Sequence, residues 1–173
     1  MMNRSALQLA LQPIRKWIEK TLDENKSNAV SVASLSFPRL SKIFPNNLLE
    51  RAKVVITGNI PIPPLSDLGL PDFIQMGNNV PLGVTYKDTF FINNLNQKDE
   101  SIYFHELIHI VQWERLGIDN FLTAYCVGLL KFGYQNSPLE KMAHSLQADF
   151  DRGIRIPNIV ENIQNQTDEI NIL

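Results

Sequence analysis

His105-Glu106-Leu107-Ile108-His109 sets two histidines four residues apart, with a glutamate directly after the first. The surrounding run, Ile102 to Leu116, contains no Gly or Pro, and Gly117 follows it as a stop. Asp99 or Ser101 can cap its start, with Glu100 in the first turn. The run therefore predicts a helix. Ile102, Phe104, Leu107, Ile108, Ile110, Val111 and Trp113 make it apolar nearly all round, and such a helix is buried. Residues four apart on a helix lie one above the other, so His105 and His109 can reach one metal ion from a single rigid element. Glu106 stands where a carboxylate can polarise water without itself being a ligand. Buried histidine and glutamate are costly unless hydrogen-bonded or metal-bound. A coincidental match must also explain why two of only three histidines, the third being His144, fall in this pattern.

A catalytic zinc site typically takes three protein ligands and keeps one position open. The residues after the motif are Ile110-Val111-Gln112-Trp113-Glu114-Arg115, which excludes the glycine-then-histidine continuation of the metzincins. Two candidates for the third ligand remain on a later predicted helix, Ser137 to about Asp151. These are Glu140 and His144, again four apart on one face. Glu140 has a structural alternative. Ser137-x-x-Glu140 with Pro138 at the first helical position is a capping box, in which the carboxylate bonds the Ser137 amide. The residues alone leave both candidates open. Tyr134, His144 and Tyr125 are candidates for stabilising an oxyanion. Gln112 is either a support for one of the ligands or a plain surface residue.

His105-Glu106-x-x-His109 with Gln112, followed by a tyrosine-bearing helix and then Asn136-Ser137-Pro138-Leu139-Glu140-x-x-Ala143, resembles the gluzincin branch of zinc metallopeptidases. It is similar in particular to small bacterial domains of unassigned activity that share an H-E-L-x-H-x-x-Q helix and an N-P-x-E-x-x-A helix. The strand pair from Gly83-Val84-Thr85 to Ile92 resembles their arrangement too. The similarity covers roughly Pro81 to Asp151, and its specific part is the two helices. It implies Glu140 as third ligand, with His144 in a supporting place one turn on. This chain departs from the pattern by the inserted Ser137 between Asn136 and Pro138.

The rest of the chain bounds the answer. Its 173 residues, 44% hydrophobic and 20% charged, suit one domain with a real core. The division expected is an N-terminal helical and strand portion over residues 1–80, a zincin-like core over 81–151 and a C-terminal tail over 157–173. The net charge of −2 carries no basic stripe for nucleic acid. The lone Cys126, within the apolar run Ala124 to Leu130, reads as a buried small hydrophobe rather than a nucleophile. No signal-peptide core and no membrane span is visible, so a cytoplasmic location is expected, with export by a route lacking a cleaved signal left open.

Leu7, Leu11, Ile14, Ile18 and Leu22 predict one amphipathic helix over Ser5 to Asp23, kinked or delayed by Pro13. Asn25 to Ser36 reads as a connector or short weak helix. Lys53 to Thr57 reads as a strand, and Gly83–Tyr86 with Thr89–Asn93 as two strands around Lys87-Asp88. The proline-rich Ile60 to Asp72 is irregular, either a loop over the cleft or a rigid connection. Asp119 can cap a further helix. The expected architecture is α+β and zincin-like, a small, mainly antiparallel sheet packed against the histidine helix with helices on either side in sequence. The expected function is a Zn2+-dependent metallopeptidase, water on zinc being activated by Glu106 against a peptide or protein substrate. The alternative is an inactive binding module of the same fold with structural zinc or none. Oligomeric state is not legible.

Overall fold

The computed structural model describes residues 4–65, 67–68 and 81–170. The N-terminal amphipathic stretch forms two helices, α1 (Arg4–Ala10) and α2 (Gln12–Asn25). The break at Leu11 follows from Pro13, which has no N–H to donate to the preceding turn and so fits only the first turn of a new helix. Leu7, Leu11, Ile14 and Ile18 are buried, so the stripe is a packing face. Two 3-10 turns, Lys26–Asn28 and Val32–Leu35, flank the short β1 (Val30–Ser31), where a connector was expected. Helices α3 (Leu40–Ile43) and α4 (Asn46–Arg51) lead into β2 (Lys53–Thr57).

Strands β3 (Gly83–Tyr86) and β4 (Thr89–Asn93) complete a four-stranded sheet of order β1-β2-β4-β3. The β3–β4 hairpin turns at Lys87, which takes a φ of +59°. The sheet is mixed, with two antiparallel pairings, β1 with β2 and β3 with β4, around one parallel pairing. Its central pair, β2 and β4, runs parallel over five registered positions from Lys53↔Thr89 to Thr57↔Asn93. The chain returns from β2 through β3, and reversing at the hairpin gives β4 the direction of β2. Side chains alternate across a strand, and here the alternation feeds two apolar clusters. Val54, Phe90 and Ile92 pack with α3, α4 and the helices that follow the sheet, whereas Val55 and Phe91 pack with Leu11, Ile14 and Ile18.

Those helices are α5 (Glu100–Leu116), α6 (Ile118–Phe132), α7 (Pro138–Asp151) and α8 (Ile159–Asp168). Asp99 caps α5 by accepting the Ser101 amide. Gly117, at φ +71°, ends α5 and is also the N-cap of α6, so Asp119 falls in the first turn of α6 instead of capping it. The C-terminal segment contains the short helix α8. Ile159, Ile163 and Thr167 recur every four residues, are buried, and seat α8 against α5. Residues 171–173 lie outside the described part, as do residue 66 and residues 69–80, which include much of the proline-rich segment. No helix among the described residues is long and apolar enough to cross a membrane.

Candidate metal centre

Helix α5 is buried from Ile102 to Trp113, and both histidines and Glu106 are inside with it. Helix α7 packs along it and brings Glu140, buried on the facing side, to both imidazoles. His105 Nε2 lies 3.1 Å from His109 Nε2. Each histidine meets a different oxygen of Glu140, with Oε2 3.5 Å from His105 Nε2 and Oε1 3.5 Å from His109 Nε2. A tetrahedral zinc ion with ligand bonds of about 2.0–2.1 Å spans edges of about 3.3–3.4 Å between ligand atoms. The observed separations lie close to those edges.

The hydrogen bonds around it sharpen the point. His105 Nδ1 meets Gln147 Oε1 at 3.0 Å, and His109 Nδ1 meets Gln112 Oε1 at 2.8 Å. Both carboxamides are oriented by their nitrogens. Gln112 Nε2 donates to the Leu139 carbonyl, and Gln147 Nε2 donates to Ser101 O and Oγ. Each Oε1 is therefore an acceptor, so each histidine presents an Nδ1–H to its glutamine and turns Nε2 towards Glu140. The two Nε2 atoms face each other at 3.1 Å. Glu140 Oε2 is buried beside them without a hydrogen-bond partner. Two imidazole nitrogens and a buried carboxylate turned on one point form a group that could hold a metal ion.

The capping-box reading of Glu140 does not hold. The Ser137 amide donates to the Tyr134 carbonyl, the Ser137 hydroxyl has no partner, and Glu140 Oε1 instead accepts the Tyr125 hydroxyl at 2.9 Å. Burial works against the Glu140 carboxylate, but the neighbouring His109 and His105 hold it well below the usual range. His109 is likewise opposed by burial and raised by Glu140. His144 stands aside. Its side chain is 46% exposed and its Nε2 lies 3.9 Å from Glu140 Oε2. Burial and the neighbouring His105 lower its pKa.

Glu106 is held separately, from the sheet. Thr85 Oγ1 on β3 donates to Glu106 Oε2 at 2.6 Å. Its other oxygen lies over Gly83, where a Cβ would come within 2.5 Å of Oε1. Burial raises the Glu106 pKa, against the opposing pull of His105 and His109. A carboxylate tuned upward is suited to general-base work near neutral pH.

His105, Glu106, His109, Gln112 and Glu140 are thus brought into one buried cluster, with Tyr125 bonded to Glu140. Gln112 is fully buried, not a surface residue. Tyr134 lines the adjoining cavity, its ring 6.2 Å from that of His144. Cys126 is buried, as expected, and burial pushes its thiol pKa up. Sequence reasoning missed Gln147, Thr85 and Gly83. Gln147 was within reach, because it lies seven residues, two helical turns, beyond Glu140 on the same face of α7. Thr85 and Gly83 carry no such signal, since only the packing of β3 against α5 brings them to Glu106. No known protein family, curated protein or solved structure matches this chain.

Proposed function

We propose that this chain is a zinc-dependent hydrolase of peptide amides, related in its site to the gluzincins. The observation carrying the proposal is the buried convergence of both histidine Nε2 atoms on the Glu140 carboxylate, whose Oε2 has no hydrogen-bond donor. His105, His109 and Glu140 would hold the ion. Bound zinc supplies Lewis acidity and lowers the pKa of water towards about 7.

The remaining chemistry belongs to the chain. Glu106, aimed by Thr85 and given room by Gly83, accepts a proton from the attacking water and returns it to the departing amine. Tyr125 is committed to Glu140, which leaves Tyr134 and His144 to face the developing oxyanion. A purely structural site has no use for a base such as Glu106, and this weighs against the inactive binding module.

Elemental analysis of tag-free protein tests the reading, alongside His105→Ala, Glu140→Ala and Glu106→Gln variants. Near-stoichiometric zinc is expected in the wild type and in Glu106→Gln, and is lost from the other two. Glu106→Gln should also lose hydrolysis of a mixed peptide pool, by about 10²- to 10⁴-fold. A zinc-supplemented wild type that carries no metal would turn the argument to the binding module.

A further inference from the structure

Beside the cluster lies a cavity of about 390 Å3. His105, Glu106 and Glu140 close one end of it. The remaining wall is mostly apolar, with Ile14 and Ile18 from α2, Val84 from β3, Trp113 from α5 and Leu122 from α6. Among the described wall residues the only carboxylates are Glu106 and Glu140, and there is no Lys, Arg or Asp. Three of the polar tips at the wall are turned to protein partners. Tyr86 donates to the Pro61 carbonyl, Trp113 Nε1 to the Thr85 carbonyl and Tyr125 to Glu140. A charged group entering would lose its hydration and find no counter-charge beyond the cluster itself.

Size narrows the occupant further. At about 390 Å3 the cavity has room for more than a single small side chain. The sheet favours a peptide over a bare acyl chain. Strand β3 ends the sheet order beside Glu106, so among the described strands its outer edge has no partner and can pair with an extended backbone. Resting on the hydrolase reading above, we propose that the cavity selects peptides whose segment on one side of the scissile amide is bulky, apolar and uncharged. Ile14, Ile18 and Leu122 set that preference, which makes the N-terminal helix α2 a wall of the substrate site.

Calorimetric binding of acetyl-Leu-Leu-amide, acetyl-Ala-Ala-amide, acetyl-Lys-Lys-amide, acetyl-Asp-Asp-amide and decanamide, to zinc-loaded and to chelator-stripped protein, tests this. The leucine peptide should bind at least tenfold tighter than the alanine peptide, as the transfer of the extra methylenes predicts. Neither charged peptide should compete, and the ranking should be the same with and without metal. Leu122 is only partly buried, so Leu122→Arg and the cavity-filling Leu122→Trp should fold, with unchanged circular dichroism, and weaken the leucine peptide at least tenfold. Equal binding of leucine and charged peptides, or indifference to both Leu122 variants, would overturn the proposal even if zinc binds. Decanamide binding ten times tighter than the leucine peptide would overturn its assignment to peptides. Selective binding by a protein that takes up no zinc would uphold the cavity and sink the hydrolase.

Discussion

Gln147 accepts the Nδ1 proton of His105 at 3.0 Å, and its own amide nitrogen is pinned by Ser101 at 2.9 Å. One carboxamide on α7 thereby fixes both the tautomer and the ring orientation of a histidine on α5. Gln112 does the same for His109 from within α5, reaching across to the Leu139 carbonyl of α7. Gln147→Ala should weaken zinc affinity about 10- to 100-fold, in the range known for groups that orient metal ligands. Competition against a chromophoric chelator would measure it. An unchanged affinity would show that His105 needs no such support.

Removing metal should cost stability. Zinc at 100 times its dissociation constant adds about 2.7 kcal/mol to the folded state. For a chain of 173 residues this corresponds to a rise in Tm of roughly 5–11 °C. Differential scanning calorimetry with zinc and with a chelator reads the difference. The same pair of scans on Glu140→Ala should coincide.

Gly83→Ala should damage the base and spare the ion. The added methyl would lie within 2.5 Å of Glu106 Oε1 and 2.9 Å of its carboxyl carbon, so the carboxylate must move or the strand must shift. Overpacking of this kind costs about 1–3 kcal/mol. Zinc content should remain that of the wild type, while hydrolysis falls towards the level of Glu106→Gln.

Ala143→Leu should act in the opposite way. Ala143 is fully buried, one turn after Leu139 on the helix that carries Glu140. A larger side chain there pushes α7 away from its neighbours at a cost of about 1–3 kcal/mol. Zinc should be lost together with stability, as elemental analysis and a thermal melt would show.

Alkaline titration probes the packing without reference to metal. All four tyrosines, Tyr86, Tyr103, Tyr125 and Tyr134, have pKa values raised first by burial, that of Tyr103 to about 12. A phenol whose folded pKa lies above its unfolded value near 10 contributes stability that is complete below pH 10 and lost as the pH rises beyond it. Metal-free native protein should therefore show almost no tyrosinate absorbance between about pH 10 and 11, where the unfolded chain is largely ionised. Appreciable tyrosinate in the folded protein at that pH would contradict the burial described here.

Much of this was legible in the sequence because helices advertise themselves locally. The span of α5, its Asp99 cap and its Gly117 stop follow from residues adjacent in the chain. The four-residue period narrowed the partner of the two histidines to Glu140 or His144, and the gluzincin resemblance implied Glu140, which the fold places beside both. What escaped was non-local. The parallel register of Lys53 with Thr89 depends on how β3 turns the chain back, and no pattern within either strand encodes it. Thr85 reads as an ordinary strand threonine until α5 lies across it. The Ser137-x-x-Glu140 spacing pointed to a cap that the fold does not form, because burial against the imidazoles outweighs one bond to a backbone amide.

The centre is fastened to two different layers. Its ion-holding groups are secured by contacts between α5 and α7, whereas its base is secured by β3. Damage to one layer therefore need not spread to the other. On the proposed function, holding an ion and using it would then be separable properties. A few changes along Gly83 to Thr85 would be expected to abolish cutting and leave a protein that only grips, with every ligand still in its place.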